Sequence, residues 1–459
     1  MCLHFEKDFG QSGGLARGRV PRKEPNPIRQ MKSTNLELLN FGCYVNRWIR
    51  KHHRLRRRVR SKEPSGDLLS VGIMSSISSC KIKEGMTELM VPDQIEPSKY
   101  PSFFNPRGRL VRDISIVCYR TWASSMKGDG VHTEELTFAD SLSGTGARGI
   151  RVANEVREID RVFLNDVSSL SIDLAKRSAK ENGVEQRCVF SQEEACSFLS
   201  SRNPNQGERF DFVDVDPFGT PSPFVECALR AIKDGGLLSI SATDTAVLCG
   251  VYPKVAQRKY LGLPLRTDYA HEIGMRLIFG LLSMSAMRLE SSISPLFCHH
   301  DMHYFRAYCT VQIGNSYSRQ NESEIGFVLH CFKCGSRKVV SRANFFRDIG
   351  ESLNCSECEA DVKLAGPLWV GKIQSQDFVA NCAKISDSAL FEEESDIPLY
   401  YDLTEVSDIM GARTPRIMDV ISELNSIGHS AGRTRLNRNA VRTDSPPEDL
   451  RKILARLSR

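Results

Sequence analysis

The stretch Phe210-Asp-Phe-Val-Asp-Val-Asp216-Pro-Phe-Gly219 decides how the rest of the chain is interpreted. Its apolar positions run into an acid-Pro-aromatic-Gly corner, which is typical of a buried strand of an α/β sheet where the strand ends in a loop. In such sheets, ligands bind beyond the carboxyl ends of the strands. We therefore predict that Asp216, Pro217 and Phe218 line the mouth of a pocket.

These three residue types suit the exocyclic amino group of a nucleobase, whose lone pair is delocalised into the ring and is therefore a poor nucleophile. The Asp216 carboxylate would accept an N–H hydrogen bond and then the proton, and the Pro217 carbonyl would assist. Phe218 would stack on the base. The alternative is a plain strand end with an Asx turn and a loop aromatic, and the corner alone does not exclude it.

A glycine-rich loop lies upstream, where the predicted strand 136–142 runs into Ser143-Gly144-Thr-Gly146-Ala-Arg148-Gly149. Glycines let the backbone turn tightly and approach a ligand, so Gly144 and Gly146 are candidate cofactor-binding residues. The spacing also fits the dinucleotide fingerprint, with Asp166 placed to accept both ribose hydroxyls. This half of the chain fits an NAD-dependent oxidoreductase as well as a methyltransferase.

The following segments complete the predicted sheet. A third strand, 188–190, ends in Glu193-Glu194-Ala195, where a polar and a small residue suit an adenine. The Asp216 stretch is the fourth strand and 236–241 the fifth. Five strands alternating with helices predict a doubly wound, Rossmann-like α/β sheet. Together with the acid-Pro-aromatic corner, this arrangement indicates an S-adenosylmethionine-dependent amino methyltransferase of class I.

Two CxxC knuckles follow, Cys331-x-x-Cys334 and Cys355-x-x-Cys358. Each presents two thiolates on one turn, and together they can close a tetrahedron around Zn²⁺. Four incidental cysteines would rarely show this spacing, and no thioredoxin-like βαβ pattern supports a redox CxxC. With four protein ligands the zinc would be structural.

The remaining carboxyl-terminal sequence predicts two short helices, 402–411 and 414–424, and then a basic hairpin, 430–442. This is a winged-helix-like order. From Arg433 to Arg442 there are four arginines and no acid. They are enough for phosphate contacts with RNA, although a solvated basic face is an equal alternative. We expect a smaller α+β carboxyl-terminal domain that carries a zinc ribbon and this segment.

Charge is concentrated at the amino end. The chain has 459 residues and a net charge of +6, and residues 1–62 contain 16 Lys or Arg against 4 Asp or Glu. Such a run predicts a disordered extension over 1–79; a nucleic-acid arm, a targeting segment or a natural start at Met74 or Met86 are alternatives. No apolar run is long enough for a membrane span. Without a signal peptide, the scattered cysteines are expected to be free thiols in the cytoplasm.

From about residue 80 to 445, and so without the basic extension, the sequence closely resembles the tRNA (guanine26-N2)-dimethyltransferases, the archaeal form above all. The matching motifs are Phe103-Phe-Asn-Pro, Arg112-Asp113, 140–151, Asn165-Asp166, 214–221, 242–250, 271–276 and Tyr304-Phe305-Arg306.

The resemblance implies specific roles. Arg112, Arg148, Asp166, Glu194 and Ala195 would contact S-adenosylmethionine; the family often has Asp where this chain has Glu194. Asp216 would be the catalytic carboxylate, with Phe103 and Phe218 flanking the reacting groups. His271 and Glu272, on an apolar helix, are interpreted as structural.

We therefore expect a catalytic domain over 80–315 and a tRNA-binding domain over 316–459. The protein would act as a monomer and add one or two methyl groups to the N2 amino group of guanosine 26 in tRNA. Two alternatives stay open at this point. An NAD-dependent oxidoreductase would explain the glycine loop but not the Asp216 corner. A non-catalytic zinc-ribbon RNA-binding protein would leave the predicted sheet without a role.

Overall fold

The computed structural model describes residues 78–93, 102, 104–128, 135–201, 209–301, 303–348, 353–392 and 394–458. All of them lie within one compact unit, Met74–Arg459. The predicted basic extension therefore lies outside the described residues, apart from positions 78 and 79.

A mixed sheet of seven strands organises the amino-terminal part. A short hairpin precedes it, formed by β1 (Ser79–Glu84) and β2 (Thr87–Pro92). The sheet strands are β3 (Thr137–Asp140), β4 (Arg161–Asn165), β5 (Cys188–Ser191), β6 (Phe210–Val215), β7 (Ile232–Ala242), β8 (Ser291–Asp301) and β9 (Tyr304–Ile313). They lie in the order β5-β4-β3-β6-β7-β9-β8. The first five are parallel, which confirms the prediction, whereas β9 and β8 add an antiparallel edge.

Helices cover both faces of this sheet. They are α1 (Arg109–Gly128), α2 (Ala147–Glu155), α3 (Ser169–Glu181), α4 (Ala195–Ser200), α5 (Val225–Ala231), α6 (Thr245–Leu248), α7 (Pro253–Tyr260) and α8 (Ala270–Met287). Side chains alternate between faces along each strand. In β6, Phe212 packs in the core under α1–α3, and Val213 packs in the core under α4, α5 and α8. Burial of both faces explains why the strands are apolar almost throughout.

Two small sheets follow. The first consists of β10 (Ile325–His330), β11 (Arg337–Ser341) and β12 (Lys363–Trp369), in the order β11-β10-β12. The second consists of β13 (Tyr401–Asp402), β14 (Ala431–Arg433) and β15 (Ala440–Thr443), in the order β13-β15-β14. The helices of this part are α9 (Asn315–Ser323), α10 (Arg342–Asp348), α11 (Gln376–Ala383), α12 (Leu403–Met410), α13 (Ile417–Ser426) and α14 (Pro447–Leu457).

The helix-helix-hairpin order of the carboxyl-terminal segment is present. Asp402 caps α12, since its carboxylate accepts hydrogen bonds from the amides of Thr404 and Glu405. The apolar faces of α12, α13 and α14 enclose their own small core around Leu424 and Leu450. Helix α13 begins three residues later than the sequence predicts, because residues 412–416 form a loop.

The boundary at residue 315 stays a prediction. One continuous core contains Ile240 and Phe279 from before it and Val328 and Leu368 from after it. Helix α8, whose 18 residues are mostly buried, lies against β12. Among the described helices, none is long and apolar enough to cross a membrane.

One expectation about cysteines is wrong. Cys196, in α4, and Cys227, in α5, form a disulfide, with their Cα atoms 5.5 Å apart. The two helices pack side by side, which brings these side chains together. The sequence gives no sign of the pairing because 31 residues separate the two positions.

Candidate active site and four-cysteine cluster

The acid-Pro-aromatic corner follows β6 directly. The Asp216 side chain is about one-third exposed, with 34% of its surface accessible. Pro217 is buried, and Phe218 is 66% exposed. The Gly219 amide donates to Thr243 Oγ1 over 2.7 Å, and the Thr243 amide donates to the Gly219 carbonyl over 2.8 Å. The corner is thus held against the segment that follows β7, with its aromatic ring facing outward.

Hydrogen bonds join the loops that follow β3, β4 and β5. Asn165 is fully buried at the end of β4, and its Nδ2 donates to the carbonyls of Ser141 and Glu193, each over 3.1 Å. Its neighbour Asp166 accepts from the Gly144 amide over 3.0 Å. Because these strands are adjacent and parallel, their loops form one edge. The structure therefore brings together Gly144, Gly146 and Asp166 as the sequence predicts.

Two glycines of this stretch, Gly146 and Gly149, have no space for a side chain. Gly146 has a φ of 76°, and a Cβ there would lie 2.6 Å from the Cβ of Ala175. A Cβ on Gly149 would lie 2.7 Å from a methyl group of Leu164. Within the same loop, Ser143 Oγ is buried and has no hydrogen-bond partner among the described residues. A buried hydroxyl without a partner is the kind of group that a ligand commonly satisfies.

Arg148 connects the glycine loop to the corner. Its guanidinium forms an ion pair with the Asp216 carboxylate, and its Nε lies 3.5 Å from Asp214 Oδ2. Nη1 donates to Ser115 Oγ over 2.6 Å. Arg148 is buried, so this contact fixes the orientation of the Asp216 carboxylate. Contact of Arg148 with a cofactor, as implied by the resemblance, stays a prediction.

A buried ionic network behind the corner was missed by sequence reasoning. Asp214 and Arg306 are both fully buried and form an ion pair, to which Tyr119 and Ser239 donate hydrogen bonds. Burial raises the pKa of the Asp214 carboxyl, but Arg306 and Arg148 outweigh this and hold the pKa below its usual value. The only sequence signal is an arginine within the apolar strand β9.

Asp140 lies beside this network, because it pairs with Asp214 across β3 and β6. Burial and the nearby negative charge of Asp214 raise the pKa of Asp140 to about 8. Asp140 Oδ2 accepts a hydrogen bond from the Gly149 amide over 3.0 Å. The strand that leads into the glycine loop therefore ends in a carboxyl group that favours its neutral form.

The other residues that are predicted to contact the cofactor lie in different environments, some exposed and some buried. Glu194 is exposed and caps α4, where its carboxylate accepts from the Ser197 amide over 2.9 Å; Ala195 is buried beside it. Arg112 forms a buried, two-pronged ion pair with Glu84 of the hairpin, with contacts of 2.7 and 2.6 Å. Phe103 lies outside the described residues.

His271 and Glu272, which the sequence analysis interprets as structural, contact different partners. Glu272 is fully buried and forms ion pairs with Arg276 and Arg442, each over 2.8 Å. His271 instead stacks on His300, with the ring centroids 4.2 Å apart.

The predicted set of four phosphate-binding arginines needs a correction. Arg442 is buried between Glu272 and Glu394, and Arg435 pairs with Glu394 over 2.9 Å. These acidic partners neutralise the charges of both arginines inside the protein. Because the partners come from distant segments, the sequence does not reveal the pairing. Of the four, only Arg433 and Arg438 are exposed.

The two CxxC knuckles meet. The four Sγ atoms lie within 4.8 Å of one another, and the Cys331–Cys358 and Cys334–Cys355 pairs are each 3.5 Å apart. A tetrahedral ion with bonds of about 2.3 Å to sulfur needs sulfur atoms roughly 3.8 Å apart. Both knuckles turn alike, since Gly335 and Glu359 have φ values of 74° and 59°. The cluster can therefore hold a metal ion.

Comparison with known proteins gives consistent matches. The model of the N2,N2-dimethylguanosine tRNA methyltransferase family matches residues 85–455. A tRNA (guanine(26)-N(2))-dimethyltransferase of Methanothermobacter thermautotrophicus is 34% identical over 391 residues, which are 82% of this chain and 98% of the relative. A tRNA (guanine(26)-N(2)/guanine(27)-N(2))-dimethyltransferase of Aquifex aeolicus is 33% identical over 300 residues, which are 65% of this chain and 73% of the relative.

A solved structure agrees with the fold. Trm1 from Pyrococcus horikoshii, in complex with S-adenosyl-L-methionine, superposes with a TM-score of 0.68 at 27% sequence identity. The match covers 82% of this chain and 99% of the other.

Proposed function

Since the chain belongs to the N2,N2-dimethylguanosine tRNA methyltransferase family, we propose that it methylates the N2 amino group of guanosine 26 in tRNA, with S-adenosylmethionine as donor. The observation that carries the proposal is the Asp216-Pro-Phe corner, held by Arg148 beside the glycine loop. A carboxylate, a carbonyl and an exposed ring lie there next to the glycine loop. The chemistry of an NAD-dependent oxidoreductase would not require this corner.

The residues at the carboxyl edge fit S-adenosylmethionine. Gly144 and Gly146 both have positive φ values, so the loop turns tightly, and the buried Ser143 hydroxyl lacks a partner among the described residues. Asp166 uses its carboxylate oxygens to accept from the Gly144 and Ser168 amides, and each oxygen can accept one more hydrogen bond, as a ribose would need. Glu194 and Ala195 would flank the adenine.

The bound cofactor supplies an electrophilic methyl group. Asp216 accepts a hydrogen bond from the guanine amino group and takes up its proton, so that the nitrogen lone pair becomes available. Arg148 holds the carboxylate in place, the Pro217 carbonyl accepts the second N–H, and Phe218 stacks on the base. Positioning and one proton acceptor suffice for this chemistry.

We further propose that the four-cysteine cluster holds Zn²⁺. Four sulfur ligands leave no open coordination position, so the ion stabilises the fold and does not react. Arg451 of α14 donates to the Cys334 carbonyl over 2.8 Å, which ties the last helix to this cluster. Loss of the ion should therefore loosen the carboxyl-terminal part before the sheet.

The experiment is methyl transfer to an unmodified tRNA transcript, with the product nucleosides identified by mass spectrometry. We expect N2-methylated guanosine at position 26. A matched transcript with adenosine at that position should accept no methyl group. Equal incorporation into both transcripts, or methylation of another atom, would refute the proposal.

A further inference from the structure

The segment between β7 and α8, which includes α7, contains an exposed surface with no role in the chemistry described above. Val251 and Tyr252 are each about half exposed, at 49% and 55%. Lys254, Arg258 and Arg266 are also exposed. None of these three cations forms an ion pair with a described residue. We call these five residues the 251–266 surface.

This surface is attached to the catalytic corner by a short chain of contacts. Thr243, which exchanges hydrogen bonds with Gly219, precedes Asp244. Asp244 in turn accepts hydrogen bonds from Lys259, over 3.1 Å, and Tyr260, at the end of α7. The segment thus begins beside Phe218 at the carboxyl edge of the sheet.

The segment is also firmly held, although its outer side chains are exposed. The Leu263 amide and carbonyl exchange hydrogen bonds of 2.9 and 2.8 Å with Gly366. Gly250 packs against the backbone of Arg266, where an added Cβ would lie 3.0 Å from the nitrogen. Ala256 and Tyr260, on the inner side of α7, are fully buried. An anchored backbone presents the cations at fixed positions, which reduces the entropy lost on binding.

We propose that the 251–266 surface binds the phosphates and a neighbouring base of the tRNA next to the methylated guanosine. Three cations that form no ion pair with a described residue match the charge of a nucleic-acid backbone, and an exposed tyrosine can stack on a base. Because Arg435 and Arg442 are neutralised internally, the hairpin of β14 and β15 supplies fewer phosphate contacts than its sequence indicates. The inference rests on the proposed function and adds the surface that holds its substrate.

The test compares two triple variants that lose the same charge. Lys254→Ala/Arg258→Ala/Arg266→Ala removes the proposed contacts. Arg157→Ala/Arg177→Ala/Lys180→Ala removes exposed cations from the turn before β4 and from the second half of α3, toward the edge of the sheet at which the parallel strands begin. KM for tRNA and kcat are measured with saturating S-adenosylmethionine at several salt concentrations, and cofactor binding checks that each variant is folded.

We expect the first variant to raise KM for tRNA roughly 10- to 100-fold with little change in kcat. The slope of log KM against log salt should fall by about 2 to 3, near one unit per lost phosphate contact. Tyr252→Ala, tested alone, should raise KM about fivefold or more. The second triple variant should match the wild type.

An unchanged KM and slope in the first variant would overturn the inference, as would an equal effect in the second. Neither result would contradict the proposed function, provided that the wild type methylates tRNA. Absence of methylation by the wild type would instead refute the proposed function itself.

Discussion

Removing the charge of Asp214 should destabilise the protein more than its small change in shape suggests. Asp214→Asn leaves Arg306 fully buried without its counter-ion. It also removes one of the two carboxylates near the Arg148 guanidinium. Breaking a buried pair in this way costs about 3–5 kcal/mol. Since typical proteins are stable by only about 5–15 kcal/mol, the loss should be large.

Urea denaturation, followed by circular dichroism, measures the free energy of unfolding of the wild type, Asp214→Asn, Arg306→Met and the double variant. We expect the double variant to lose clearly less than the two single losses combined, because it leaves neither charge alone. Glu226→Gln provides the control. It breaks an exposed pair with Arg288 and should cost at most about 1 kcal/mol. A cost below about 1 kcal/mol for Asp214→Asn, or strict additivity, would refute the reasoning.

Three further predictions concern the cofactor, the metal and acid stability. Asp166→Ala should weaken S-adenosylmethionine binding by roughly 1.5–3 kcal/mol, measured by calorimetry; an unchanged affinity would exclude it as the ribose ligand. Cys331→Ser should abolish the one zinc expected per chain, measured by metal analysis, while cofactor binding persists; a retained zinc would contradict the four-cysteine site. Burial and the neighbouring His271 lower the pKa of His300 to about 4, so the unfolded chain binds the proton more tightly and stability should fall as pH drops from about 6.5 to 4. His300→Gln, which keeps a donor for the Leu436 carbonyl, should flatten that fall in denaturation measured across this range.

The parallel part of the sheet could be predicted because each strand carries its own local signal. The run from Phe210 to Val215 is apolar and ends in a turn, and its neighbours follow the same pattern. The edge strands β8 and β9 were not predicted. Their sequence includes Pro295 and the polar His299 and Arg306, whose burial depends on partners from other parts of the chain.

The same distinction applies to charged residues. Spacing alone identifies the four cysteines and the glycine loop, because the residues that act together are close in sequence. By contrast, Arg442 meets Glu272 across 170 positions, and Arg112 meets Glu84 across 28. A basic run therefore predicts charge but not whether that charge is exposed. Tertiary packing decides which arginines remain available to a substrate.

The central claim is that Asp216 accepts the proton of the guanine amino group. Asp216→Asn keeps the shape of the side chain and one carbonyl acceptor, but the amide cannot take up a proton. Single-turnover methyl transfer, with tRNA and S-adenosylmethionine both saturating, tests the claim most directly. We predict near-normal binding of both substrates and a rate lower by roughly 10²–10⁴. A variant that kept most of its single-turnover rate would contradict the claim and leave Asp216 as a strand-end cap.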